Sequence, residues 1–315
     1  MSLNKIVEII KNKKSFLLST HQDVEGDALG SELALFSLLR RLRKEVYIYN
    51  SDKTPLNYRF LPFSSYIKNK PPQKEFEVGI VVDASDISRI GIVRNGFLKT
   101  KILINIDHHI SNTKFGDINW IEPKVSSAAE MVYKIYKRFF PNISKNASIC
   151  LYTGIFTDTG CFSYSYTNSQ VHRIVSELLN SGVTPVKIYH EVYSSFKARD
   201  ISFVGRVLSR VKCDFKGKVC WVKTSQWKDS SSGDLTEAIF YNLRFIKDAE
   251  VLILFKQIGK NVRVNFRSKG KIDVNRVAKF FGGGGHKSAA GTTLKNTSIF
   301  QAQKKVLSFI KSHIL

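Results

Sequence analysis

A chain of 315 residues with 43% hydrophobic and 24% charged residues has the length of about two ordinary domains and the composition of a folded globular protein. Its 7 prolines and 19 glycines are too few for collagen-like, mucin-like or disordered architectures, and no apolar run reaches the roughly 18 residues that a membrane helix needs. The net charge of +23 is unevenly spread: residues 1–195 carry 25 Lys and Arg against 18 Asp and Glu, whereas residues 196–315 carry 24 against 8. Such a positive field either attracts phosphates or reflects a lysine-rich solvated surface.

The N-terminus, Met1-Ser2-Leu3-Asn4-Lys5, leads into polar and basic residues rather than an apolar leader core, so a cytoplasmic protein is expected. Ser15-Phe16-Leu17-Leu18 reads as a short buried strand. Leu29, Leu33, Phe36, Leu39 and Arg40 then fall at helical spacing within residues 28–43. Val46-Tyr47-Ile48-Tyr49, Val78-Gly79-Ile80-Val81-Val82 and Ile102-Leu103-Ile104-Asn105-Ile106 are further strands. They are continuously apolar, the mark of strands covered on both faces. Ser127 and Glu130 fit a capping box opening the next helix, and residues 147–158 form another apolar segment ending at Thr157-Asp158-Thr159-Gly160.

The fold expected is α/β: a doubly wound, mostly parallel sheet over residues 1–190, a helical linker over 191–212, and a smaller mixed α/β domain over 213–315. In that second domain Val262, Val264 and Phe266 share one strand face and Arg263, Asn265 and Arg267 the other. A helix over residues 274–281 is cut off by four glycines. Cys150, Cys161, Cys213 and Cys220 include no C-x-x-C pair and read as buried or incidental thiols, not zinc ligands.

The chemistry lies at the C-terminal end of each apolar segment. His21-Gln22-Asp23-Val24-Glu25-Gly26-Asp27 comes after the first strand. Asp83 comes after Ile80-Val81-Val82, Asp107-His108-His109 after Ile104-Asn105-Ile106, and Asp158 after Gly154-Ile155-Phe156-Thr157. One acid at a strand end is ordinarily a helix cap or turn residue; here the event recurs four times. Ligands of open α/β sheets bind outside the carboxyl ends of the strands, so neighbouring strands would gather imidazoles and carboxylates in one crevice. Carboxylates that close repel and take up protons unless cations intervene. Mixed His and carboxylate ligands suit manganese, iron or zinc, with the oxygen-rich balance favouring manganese. The ligands suffice for two ions, which clamp an in-line displacement at phosphorus.

A second signal is Gly282-Gly283-Gly284-Gly285-His286-Lys287. It lacks the P-loop spacing and reads either as a flexible loop or as backbone able to approach an anion closely. His172, His190 and His313 are isolated and read as surface or helix residues. Trp120, Trp221 and Trp227 read as core or shelf residues, with base stacking as the alternative.

Asp107-His108-His109 resembles the signature of the DHH phosphoesterase superfamily. His21-x-x-x-Glu25-Gly26-Asp27-Ala28-Leu29-Gly30-Ser31 resembles its first motif, Asp83 its second and Asp158 its fourth, and residues 281–291 resemble the GGGH motif of the DHH-associated C-terminal domain. The resemblance covers nearly the whole chain. It points to the short two-domain subgroup of nanoRNase, pAp-phosphatase and cyclic-di-AMP phosphodiesterase enzymes. It implies one metal, manganese first, on His21, Glu25 and Asp83, and a second on Asp27, Asp83, His108 and Asp158, with Asp83 bridging. Asp107 would orient His108, and His109 would touch the scissile phosphate. Arg267, Gly283, Gly284, Gly285 and His286 would hold another substrate phosphate across an interdomain cleft. The implied substrates are short RNA, linear dinucleotides such as pApA, cyclic di-AMP and pAp, and the implied assembly is a homodimer. Glu25, preceded by Val24, departs from the family's usual Pro-Asp. The competing readings are a single-strand exonuclease of the same superfamily and a non-catalytic RNA- or nucleotide-binding protein with a degraded metal site.

Overall fold

The computed structural model describes residues 2–194, 196–225, 227 and 235–313. The chain divides into two compact units, Met1–Ser194 and Ser195–Leu315. The first is built on six parallel strands, β1 (Ser15–Ser19), β2 (Glu45–Tyr49), β3 (Ile67–Lys68), β4 (Val78–Val82), β5 (Ile102–Asp107) and β6 (Ile118–Ile121), in the order β3-β2-β1-β4-β5-β6. Every residue of β4 is buried, as its unbroken apolar run requires of a strand covered on both faces. The sheet is accompanied by α1 (Ser2–Asn12), α2 (Gly26–Arg41), α3 (Arg94–Phe97), α4 (Ala128–Tyr136), α5 (Lys145–Asp158), α6 (Ser169–Asn180) and α7 (Pro185–Tyr193).

The fourth apolar segment, Gly154-Ile155-Phe156-Thr157, lies inside helix α5, not in a strand. Ser144 starts that helix by accepting from the Ala147 N–H, and burial on nearly all sides leaves no amphipathic stripe to distinguish it from a buried strand. α2 is buried continuously from Gly26 to Leu39, so it too is a core helix. The two helices approach closely at Gly30, where a Cβ would come within 2.4 Å of the Cys150 carbonyl oxygen. At α4, Ser127 Oγ accepts from the Glu130 N–H at 3.1 Å, but the Glu130 carboxylate turns to Ser126 N and Oγ. Only half of the expected capping box forms.

The second unit contains α8 (Ala198–Leu208), β7 (Lys212–Asp214), β8 (Val219–Thr224), α9 (Leu235–Leu243), β9 (Val251–Ile258), β10 (Asn261–Ser268), α10 (Val274–Phe280), β11 (Gly284–Gly285), β12 (Ala289–Leu294) and α11 (Ile299–His313). Its strand order is β11-β12-β10-β9-β8-β7, with β8 and β9 parallel and the other pairs antiparallel. Val262, Val264 and Phe266 enter the core with Val277, Val306 and Ile310. The helical stretch 191–212 is shared between the units: α7 closes the first and α8 opens the second.

The cysteine expectation is corrected for one pair. Cys213 and Cys220 form a disulfide, because the β7–β8 register sets them directly opposite each other; a separation of 7 residues does not advertise that hairpin. Cys150 and Cys161 are not disulfide-bonded.

Candidate metal centre

β1 and β4 are sheet neighbours, and the strand order runs outward in opposite senses from them. This is the switch point of a doubly wound sheet, where a crevice opens beyond the carboxyl ends of the strands. His21 lies two residues past β1, Asp83 directly follows β4, and Asp107 ends β5 with His108 and His109 after it. α2 brings Asp27 in its first turn, and α5 ends on Asp158. Asp83 has φ +56°, a left-handed conformation that Asp tolerates better than most residues and that recurs at functional sites. Its N–H donates to the Ile106 carbonyl at 2.9 Å.

Three overlapping donor groups result: His21, Glu25 and Asp83; Asp27, His108 and Asp158; and Asp83, His108 and His109. Asp83 Oδ2 lies 3.5 Å from His21 Nε2, and Asp83 Oδ1 lies 3.4 Å from His108 Nε2 and 3.6 Å from His109 Nδ1. His108 Nε2 is also 3.5 Å from Asp158 Oδ2 and 3.8 Å from Asp27 Oδ2. A cation about 2.1 Å from each ligand spaces those ligands about 3–3.5 Å apart. The Asp83 Oδ1 atom is buried with no hydrogen-bond partner among the described residues, although such an acceptor is costly to leave unsatisfied. These donors fit divalent metal.

Neighbouring groups aim the ligands. His21 Nδ1 donates to the Gln22 carbonyl at 2.6 Å, which turns Nε2 toward Asp83 and fixes the tautomer. Asp27 accepts from Ala128 N at 2.6 Å and Ala129 N at 2.8 Å, so it also holds the start of α4. Glu25 is the N-cap residue of α2, but its side chain makes no capping bond there. Asp107 differs from the expectation: it pairs with His109 Nδ1 at 2.6 Å, not with His108. Asn112 was not anticipated; its Nδ2 donates to Asp107 Oδ2 at 2.6 Å, and no motif in the sequence marks it.

The electrostatics are those of a crowded charge cluster. Burial opposes charging His21, but Asp83 and Glu25 outweigh it and push the imidazole up to about 9. Burial likewise opposes charging His108 and His109, and their carboxylate neighbours raise both. Burial together with the Asp83 charge raises Asp27 and Asp158, the latter to about 7. Asp83 is buried, yet the surrounding imidazoles hold it well below the usual carboxylate range.

In the second unit, Gly284 and Gly285 form β11, paired with Gly291 and Ala290. A Cβ on Gly283 would fall 2.1 Å from the Gly291 carbonyl oxygen, so the run is ordered backbone and not a loose loop. Arg267 pairs with Glu237, donates to the Phe266 carbonyl at 3.0 Å and sits 4.8 Å over the Phe240 ring. Glu237 gave no sign of this role in the sequence.

The model of the DHH family, N-terminal domain, matches residues 15–155, and that of the DHHA1 domain matches residues 217–312. The chain belongs to the DHH family, in its two-domain nanoRNase-type subgroup, and is a metal-dependent phosphoesterase. It is 30% identical over 318 residues to the bifunctional oligoribonuclease and PAP phosphatase NrnA of Thermus thermophilus, covering 98% of this chain and 93% of that one. The Bacillus subtilis protein of the same description is 25% identical, with 92% of each covered. A solved exopolyphosphatase-related protein from Bacteroides fragilis superposes with a TM-score of 0.89 at 25% identity, covering 98% of this chain and 96% of that one.

Proposed function

We propose that this protein hydrolyses short oligoribonucleotides and linear dinucleotides such as pApA to mononucleotides, converts pAp to AMP, and accepts cyclic di-AMP as a further substrate, using two manganese ions. The observation that carries the reading is Asp83, whose two oxygens face different donor groups, His21 on one side and His108 on the other. His21, Glu25 and Asp83 would hold one ion. Asp27, Asp83, His108 and Asp158 would hold the other. When bound, paired divalent cations supply a water-derived nucleophile at neutral pH and neutralise charge developing at phosphorus.

The chain's own groups do the rest. Asp107 holds His109 by Nδ1, and the raised pKa of His109 favours the imidazolium, which can donate from Nε2 to a non-bridging phosphate oxygen. Arg267, Gly283, Gly284, Gly285 and His286 serve as the grip on a second substrate phosphate, which favours short chains that present one. The relatives of the same length, described as acting as oligoribonucleases and PAP phosphatases, support this choice. Cytoplasmic placement and a homodimeric state belong to the same proposal.

The test is hydrolysis of pApA, pAp, cyclic di-AMP, a short oligoribonucleotide and a long RNA with manganese, with products separated by chromatography. Faster turnover of the short substrates is expected. Equal rates on the long and short RNAs would reject the grip on a second phosphate.

A further inference from the structure

The second unit carries an aromatic column on its surface. The Phe280 and Phe309 rings stack with centroids 4.1 Å apart and planes inclined by 24°, and Phe309 stacks on His313 at 4.5 Å and 12°. Phe281 meets Phe280 and Phe309 edge-on, at 5.0 Å and 5.6 Å. Buried neighbours on the same two helices, Val277, Ala278, Val306 and Ile310, root the column in the core. Phe280 nevertheless remains 63% exposed. A rigid ring presented to water costs little further entropy when a second flat ring covers it.

The surroundings select what covers it. Residues 274–315 contain seven Lys and Arg and no Asp or Glu. Lys279 directly precedes Phe280, and Lys305 lies one turn before Phe309, on the same side of α11; both are exposed. A polyanion therefore meets no acidic side chain from this stretch. Phe280 is also three residues from Gly283, at most about 11 Å along an extended chain. Stacked rings bordered by cations are the two components of single-strand nucleic acid binding: bases stack while the basic surface tracks the backbone.

We propose that Phe280, Phe309 and His313 form a stacking platform for a base of a short single-stranded oligonucleotide, flanked by Lys279 and Lys305. This rests on the oligonucleotide reading above and adds to it a site that recognises the base and not the phosphate. Stacking makes the site tolerant of base identity and sensitive to base removal.

The experiment measures binding of fluorescently labelled oligoadenylate, and of an abasic oligomer of the same length and charge, to the full chain in chelator, so that nothing is cleaved. Wild-type protein should hold oligoadenylate on the order of tenfold more tightly than the abasic strand. Phe280→Ala should remove that difference, and Phe280→Trp should keep it, with the new indole emission quenched by oligoadenylate and not by the abasic strand. Equal wild-type affinity for the two strands, or a Phe280→Ala variant that still discriminates, overturns the platform. So does sedimentation showing that Phe280→Ala splits a wild-type dimer, since the column would then face a second copy. Hydrolysis with manganese is assayed separately: a wild type that discriminates but does not cleave refutes the enzymatic reading and leaves the platform standing.

Discussion

The Asp107 carboxylate lies 2.6 Å from His109 Nδ1, with Asn112 donating to its other oxygen. Asp107 is the last residue of β5, and its carboxylate faces His109 and not the adjacent His108. Asp107→Asn should leave the metal content of the protein unchanged but lower kcat roughly 10- to 100-fold, in the range for losing a residue that orients an imidazole of the site. Because Asp107 holds the His109 pKa up against burial, the alkaline limb of the kcat profile should move to lower pH. An unchanged profile would remove His109 from the phosphate.

Asp83→Asn is the most direct test of metal binding. Asn also tolerates the left-handed backbone found at this position, so the turn after β4 should survive. Metal analysis after dialysis should find fewer ions per chain, and turnover should fall at least about 100-fold, while near-UV circular dichroism stays that of the wild type. Full metal content in the variant would take Asp83 out of the bridging role.

Glu25 starts α2, but its side chain is not used as a cap, and it stands in a donor group with His21 and Asp83. Glu25→Ala should therefore weaken one ion selectively, seen as a biphasic manganese titration where the wild type gives two closer events. Glu25→Asp, one methylene shorter, should restore binding with an altered manganese-to-magnesium preference in the rate. Two unchanged binding events in Glu25→Ala would exclude Glu25 as a ligand.

Glu32 is fully buried in α2, with one oxygen accepting from Asn50 Nδ2 at 2.8 Å and the other without a partner among the described residues. Burial pushes its carboxyl up to about 8, against an ordinary value of 4.5. The folded state thus binds a proton that the unfolded chain releases. Stability from this group is complete below about pH 4.5 and is lost as pH rises through about 8, at about 1.4 kcal/mol per pH unit in between. Glu32→Gln mimics the protonated form and should flatten that slope. Urea melts of metal-free protein at pH 5, 7 and 9 measure it, and parallel slopes in the two proteins would show that Glu32 does not titrate there.

Much of this site was legible from the order of residues alone. β4 is an unbroken apolar run, and β1 and β5 are mostly apolar through their middles, because strands covered on both faces have little polar side to present. An acid or histidine closing each run then marks the carboxyl edge of the sheet, which is why His21, Asp83, Asp107 and His108 stand out in the bare sequence. Asp158 stands out as well, but its segment is helix α5, since an apolar stretch buried all round has no period to reveal its geometry.

What the sequence settled without help was therefore the residue types, their order and the parallel character of the sheet, since these arise from local burial and from side chains that chemistry makes poor neighbours without a cation. Tertiary structure alone decided the pairings. It gave Asp107 to His109, set Glu237 against Arg267, and joined Cys213 to Cys220. It also placed Phe280 on Phe309, 29 residues further along the chain and on another helix. Such contacts depend on register and on the close approach of elements distant along the chain, and no local propensity encodes them.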